Sequence, residues 1–93
     1  MVATGSVSDL LRAVSRYLRL NPLASDTVEG IRMWWLTGTP AATTDLEQAL
    51  HQLARAGVVE ATRAADGQVH YRRAAVDAAV DAKLDRIIAG DPL

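Results

Sequence analysis

A run of polar side chains in the middle of the chain carries groups that can hydrogen-bond base edges or phosphates. These residues follow the breaker segment Thr37-Gly38-Thr39-Pro40 and recur at the spacing of one side of a helix. Hydroxyl, amide, imidazole and guanidinium groups spaced in this way can reach the floor of a groove in a duplex. The residues of this predicted surface are Thr44, Gln48, His51, Gln52 and Arg55.

A second group of polar residues follows in two short segments joined by a turn. Residues 58–63 and 68–73 have the alternation and β-branched or aromatic content of strands, and Asp66-Gly67 between them favours a tight turn. If Val69 and Tyr71 face inward, the residues between them face outward. This is the most basic short segment of the chain, so it suits positioning contacts with a phosphate backbone. The candidate contact residues are Arg63, His70, Arg72 and Arg73.

The charge balance of the chain opposes phosphate binding. Ten basic and eleven acidic side chains give a formal net charge of −1, whereas domains that bind phosphate backbones are usually net basic. Asp45 and Glu47 place two negative charges near the start of the predicted polar helix. Its polar side therefore has three interpretations: a DNA contact, a neutral solvated face, or a contact with another protein.

The residues typical of catalysis are missing from the sequence. Cysteine is absent, and there is neither a glycine-rich phosphate loop nor a serine on a strand-turn-helix elbow. His51 and His70 fall on different predicted elements, which favours solvated histidines over a two-histidine metal site. We expect no enzymatic activity, no catalytic residue, no cofactor and no metal site.

Length and composition predict one small domain. A chain of 93 residues is long enough for a single core, so residues 1–93 are predicted to form one domain, with a main body over 8–73 and a terminal helix over 74–89. The apolar runs are only a few residues long, and no signal-peptide core follows Met1, which predicts no membrane association. The absence of cysteine is compatible with a reducing compartment, and we expect a cytoplasmic protein.

The first predicted helix runs from Ser6 or Ser8 to about Leu20 and ends at Asn21-Pro22, because proline disfavours helix in the residue before it. One side is apolar and is predicted to face the core. The opposite side is either a solvated face or a contact for phosphates or an acidic partner. Its basic residues are Arg12, Arg16 and Arg19.

The second predicted helix starts at Ser25-Asp26, either of which can cap it, and runs to about Leu36. Trp35 shares its apolar side and is predicted to lie in the core. Met33 falls away from that side and Trp34 lies at its margin. Trp34 either packs in the core or, if partly exposed, forms a protein interface with Met33, because both residue types are enriched there. A small-molecule pocket formed by both tryptophans and Tyr17 is the alternative.

The third helix is predicted to begin at Thr43 or Thr44, with Glu47 completing a capping box, and to end at Gly57. A fourth helix is predicted from Ala74 to about Ala89, ended by Gly90-Asp91-Pro92. Its apolar stripe either packs on the core or pairs with the same helix of a second copy, and its aspartates are predicted to be solvated. The apolar stripe includes Val80, Leu84 and Ile87, and the acidic one consists of Asp77, Asp81 and Asp85.

One pattern in the chain points to a family. Its residues are Thr44, Leu46, Ala49-Leu50, Leu53, Ala56-Gly57-Val58-Val59, Asp66-Gly67 and Tyr71-Arg72. With the first two helices, the segment 8–73 resembles bacterial winged helix-turn-helix proteins, of the broad type that includes MarR, ArsR and PadR-like regulators. The resemblance implies a mainly α, α+β fold: a three-helix core, a two-stranded wing and a C-terminal helix. It also implies DNA contacts from Thr44, Gln48, His51, Gln52 and Arg55 on the third helix and from His70, Arg72 and Arg73 on the wing.

Two interpretations of function follow from the sequence. The first is a transcriptional regulator that binds double-stranded DNA as a homodimer. The second is a non-enzymatic adaptor or assembly subunit that uses the same scaffold to dock on another protein, with Met33 and Trp34 in the interface.

Overall fold

The computed structural model describes residues 6–91, and within them four helices and a three-stranded antiparallel sheet form a mixed α+β fold. The predicted fold class is confirmed at this level. The ends of the predicted domain, residues 1–5 and 92–93, lie outside the described residues, and so does Pro92 of the predicted helix stop. In chain order the elements are α1 (Val7–Leu20), β1 (Ser25–Asp26), α2 (Val28–Gly30, continued by a π-helical turn over Ile31–Trp35), α3 (Thr43–Arg55), β2 (Val59–Arg63), β3 (Val69–Arg73) and α4 (Ala78–Ile88).

Helix α1 begins and ends where the sequence predicts. Ser6 and Asp9 form a capping box, in which the Ser6 hydroxyl accepts from the Asp9 N–H and the Ser6 N–H donates to the Asp9 carboxylate, each at 3.2 Å. That backbone N–H holds the pKa of Asp9 below its usual value, because it stabilises the charged form. Asn21 caps the other end, directly before Pro22. The buried apolar residues are Leu10, Val14 and Leu18.

Ser25 and Asp26 do not cap a helix, so that prediction is wrong. They form β1 and pair with β3, with Ser25 opposite Arg72 and Asp26 opposite Tyr71. The N-cap of α2 is Thr27 instead, and its hydroxyl accepts from the Gly30 N–H at 3.2 Å. Three consecutive residues have side chains able to cap, and the long-range pairing with β3 removes the first two from that role.

The second helix ends in a π-helical turn over Ile31–Trp35. The Leu36 N–H donates to the Ile31 carbonyl at 3.2 Å, five residues back, which is the bond of a π-helical turn. Ile31, Trp35 and Leu36 are buried. Trp35 stacks on Tyr17 of α1 with ring centroids 4.8 Å apart and planes 10° apart, so its predicted place in the core is confirmed.

Helix α3 lacks the predicted capping box. Ala42 occupies the cap position, and no side chain bonds there, because the helix begins at Thr43 rather than after it. The predicted stop is correct, since Gly57 follows with a φ of +79°, a conformation that favours glycine. The side facing the core is buried throughout and consists of Leu46, Ala49, Leu50 and Leu53.

The sheet is the predicted hairpin with β1 added to it. Strands β2 and β3 pair antiparallel with Glu60 opposite Arg72, and the sheet order is β1-β3-β2. At the turn, Gly67 has a φ of +86° and the Asp66 carboxylate accepts from the Gln68 N–H at 2.9 Å. The turn prediction is confirmed, and each strand is one residue shorter than predicted.

Helix α4 starts four residues later than predicted. Asp77 caps it by accepting from the Val80 N–H at 2.9 Å, so residues 74–77 are a connector. Val76, on the predicted apolar stripe, lies outside the helix and is 60% exposed. The rest of the stripe packs against α1 in the core of the single chain: Val80, Leu84 and Ile87 are buried. Of the two predicted locations the structure has the core, so these residues present no open face to a second copy.

No helix within residues 6–91 is long and apolar enough to cross a membrane.

Val76 and Val80 provide a matched pair of substitutions for the packing of α4. Val80→Ala is expected to lower the free energy of unfolding by about 2 kcal/mol, because two buried methyl groups are lost and the core closes only partly over them. Val76→Ala should change it by less than about 0.5 kcal/mol. Urea denaturation at low protein concentration measures both, and equal losses would contradict the observed start of α4.

Candidate nucleic-acid interface

The outward side of α3 presents a continuous stripe of exposed polar residues. Positions 44, 48, 51 and 55 fall within a narrow sector of the helix, opposite the buried leucines. Within residues 6–91 none of these side chains makes an ion pair or a hydrogen bond to another residue, so their donors and acceptors are available. The α3 stripe, as we call it, consists of Thr44, Gln48, His51 and Arg55.

Gln52 does not belong to the α3 stripe, although the sequence grouped it there. It is half-buried and lines a cleft of 360 Å³ with Arg12 of α1 and Ile87 of α4. A residue one position after His51 is turned by about 100°, which is enough to move it from the open side of α3 to the edge of the core. Gln52 is therefore directed toward its own chain rather than outward.

The hairpin brings one unpaired cation to its tip. Arg63 is exposed, and its guanidinium donates only to the Gly67 carbonyl at 3.1 Å across the turn. His70 is half-buried, opposite Thr62 of β2. Arg72 is exposed on the outer face, where its Nε donates to the Glu60 carboxylate at 2.7 Å. The charge of Arg72 is thus compensated within the hairpin, whereas that of Arg63 is not.

Arg73, a predicted DNA contact, is buried in the chain and does not lie on its surface. Its side chain is 1% exposed, and Nη2 donates to Asp81 of α4 at 2.8 Å while Nε donates to the Ala75 carbonyl at 3.2 Å. Strand alternation gives the reason, because Arg73 has the same parity as Tyr71, which packs against the core. A buried guanidinium needs a paired carboxylate, and α4 supplies it.

Two of the three aspartates predicted to be solvated, Asp81 and Asp85, bind arginines of the same chain, although Asp85 is still 57% exposed. Arg19 of α1 lies 3.5 Å from Asp81 and 3.0 Å from Asp85, and its hydrogen bond with Asp85 raises its pKa further. Asp81 also holds Arg73, and Asp77 caps the helix. Arg19, Arg73, Asp81 and Asp85 form what we call the α4 ion cluster.

The other two arginines of the α1 stripe differ in their surroundings. Arg12 lies 3.6 Å from Asp9, whereas Arg16 makes no ion pair within residues 6–91. Both line a shallow cleft between α1 and Gly38 to Pro40. Only Arg16 therefore keeps an uncompensated charge on this side of α1.

Met33 and Trp34 lie together on the outside of the π-helical turn. They are 58% and 67% exposed, in contrast to Trp35 directly after them. The Trp34 carbonyl accepts from the Thr37 hydroxyl at 3.3 Å, and Arg32 pairs with Glu29 at 3.0 Å on the same helix. Trp34 does not join Tyr17 and Trp35 in a pocket, because it is 67% exposed, whereas Trp35 is buried and stacks on Tyr17.

Within the described part of the chain, no group of three or more histidine, cysteine, aspartate or glutamate side chains could hold a metal ion. Comparison of the sequence and structure with protein-family models, curated proteins and solved structures gives no match.

Substitutions of two neighbouring arginines test whether Arg73 is buried and paired while Arg72 is exposed. Arg73→Ala is expected to cost about 2–3 kcal/mol of stability, because a buried guanidinium is lost and Asp81, one-third exposed, keeps only its longer contact with Arg19. Arg72→Ala should cost less than about 1 kcal/mol, since the Arg72–Glu60 pair is exposed. Thermal and urea unfolding measure both, and a larger loss from Arg72→Ala would contradict the burial of Arg73.

Proposed function

We propose that this chain is a winged helix-turn-helix protein that binds double-stranded DNA through the α3 stripe and acts as a transcriptional regulator. The element order supports the fold: α1, β1, α2 and α3 precede the β2–β3 hairpin, and β3 lies between β1 and β2 in the sheet. In this proposal α2 and α3 are the helix-turn-helix, the hairpin is the wing, and α3 enters the major groove.

The α3 stripe is the observation that carries the proposal. Three different hydrogen-bonding types, an amide at Gln48, an imidazole at His51 and a guanidinium at Arg55, stand on one exposed side of a 13-residue helix. Amides suit adenine and guanidinium groups suit guanine in the major groove. None of these three side chains makes a hydrogen bond or an ion pair within residues 6–91. By contrast, most other arginines of the described chain pair with carboxylates.

The distribution of charge predicts weak non-specific binding. Arg55 and Arg63 are the cations on the proposed DNA side that have no acidic partner within residues 6–91, and Asp45 and Glu47 lie at the start of α3. Each neutralised phosphate contributes about −0.9 to the slope of log affinity against log salt, so two cations give a slope of about −2 for each copy bound. Specificity would then come from hydrogen bonds to bases more than from charge.

A second candidate function is that of a non-enzymatic adaptor or assembly subunit. Exposed tryptophan and methionine are favourable anchors in protein interfaces, and π-helical turns are frequent at functional sites. Met33 and Trp34 lie on a π-helical turn, and each residue is more than half exposed. In that case the partner is a protein, and DNA binds little at physiological salt.

Titration of the purified chain into a labelled duplex of random sequence, over about 20 to 200 mM salt, tests the DNA proposal. We expect binding that weakens with a slope of about −2 per copy, and Arg55→Ala should reduce the slope by about 1. Arg86→Ala is the matched control, because Arg86 is an exposed cation on α4 that makes no ion pair within residues 6–91.

Two outcomes would contradict DNA binding through α3. One is no binding at the lowest salt concentration, which would leave docking through Met33 and Trp34 as the better-supported function. The other is an equal loss of affinity in Arg55→Ala and Arg86→Ala, which would mean that the α3 stripe has no special role.

A further inference from the structure

A groove on the outside of the sheet combines apolar walls with a pair of opposite charges. It has a volume of 300 Å³ and lies between residues 22–25, which lead into the edge strand β1, and residues 74–76, which follow β3. Leu23 and Val76 stand on the two sides, and Glu60 and Arg72 also line it. We call it the β1 groove. It contains no residue of α3, so occupying it would leave the α3 stripe uncovered.

Large exposed apolar side chains stand on both walls of the β1 groove. Within residues 6–91, five large apolar side chains are exposed, and two of them are Leu23 at 85% and Val76 at 60% on the groove walls. A third, Leu20 at 75%, ends α1 shortly before the groove segment. Single exposed leucines are ordinary, but residues from segments some 50 positions apart that meet at one groove indicate a surface that is covered in use.

The charges of the groove identify what covers it. The Glu60 and Arg72 side chains are 41% and 56% exposed, so both charges remain open to a partner while they bind each other at 2.7 Å. A partner patch of a single sign would attract one of them and repel the other. A second copy related by a two-fold axis would attract both charges, because each surface then presents its carboxylate to the guanidinium of the other.

We propose that the β1 groove is a self-association surface. The groove walls lie at the centre of the interface, where Leu23 of each copy packs against Val76 of the other, and Arg72 of each copy faces Glu60 of the other. The proposal goes beyond DNA binding and is independent of it, although two copies would bring two α3 helices to a duplex. It also replaces the α4 stripe as the dimerisation element, since Val80, Leu84 and Ile87 are already buried in the single chain.

Sedimentation velocity of the full chain without DNA, at about 1 to 300 μM, measures the association. The wild type is expected to pass from monomer to dimer over this range. Leu23→Asp should weaken the dimer at least about tenfold, because it places two carboxylates at the centre of the interface. Trp34→Asp is the control, since it removes another large exposed apolar residue, 67% exposed, that does not line the groove. Leu23 is 85% exposed, so its replacement leaves the core intact, which circular dichroism checks.

Charge reversal tests the arrangement of the two copies. Glu60→Arg alone and Arg72→Glu alone each place like charges across the two-fold axis, and both should dissociate the dimer. The double variant Glu60→Arg/Arg72→Glu restores opposite charges within and between copies, and dimerisation should return. A wild type that stays monomeric throughout overturns the proposal. So does a Trp34→Asp variant that dissociates while Leu23→Asp does not, or a double variant that stays monomeric. Because no DNA is present, failure here leaves the DNA-binding proposal intact.

Discussion

The ion pair between the buried guanidinium of Arg73 and the one-third exposed Asp81 ties the sheet to the terminal helix. Arg73 ends β3 with its guanidinium buried, where an unpaired charge would be costly. Asp81, one turn into α4, supplies the opposite charge and also contacts Arg19 of α1. The pair therefore joins three elements, and it fixes α4 at the position where its apolar residues cover the core.

This arrangement also decides which charges remain for a partner. Arg73 and Arg19 are neutralised inside the chain, and Arg72 is paired on the outer face of the hairpin. Within the described residues 6–91, the guanidinium groups on the proposed DNA side that have no acidic partner are those of Arg55 on α3 and Arg63 at the turn. A surface with so few free cations favours recognition by hydrogen-bond geometry, because counterion release contributes little to affinity.

The exposed surfaces of the molecule belong to different elements and differ in chemistry. The α3 stripe is polar and unpaired, the π-helical turn exposes Met33 and Trp34, and the β1 groove is apolar with a balanced pair of charges. Hydrogen-bonding groups without partners suit a polar polymer, whereas apolar groups beside a compensated ion pair suit a protein surface. The proposed DNA binding at α3 and the proposed association through the β1 groove use no residue in common.

The sequence by itself determined the elements whose signals are local. Spacing of apolar residues placed α1 and α3, Asn21-Pro22 and Gly57 ended them, and Asp66-Gly67 located the hairpin, because helix periodicity and turn conformations depend on neighbouring residues. The exposed polar side of α3 followed from the same periodicity, apart from Gln52 at its edge.

Only the tertiary structure decided the features that depend on residues far apart in the chain. Strand β1 exists because Ser25 and Asp26 meet β3 more than 40 positions away, and no pattern of two residues reveals that. Arg72 and Arg73 are identical in sequence type, yet one is exposed and the other buried, because strand alternation turns them to opposite faces and only one face meets Asp81. Val76 and Val80 likewise share a predicted stripe, and the start of α4 at Asp77 separates them. Local sequence sets the conformation of a segment, whereas the partner of a side chain is set by the packing of distant segments.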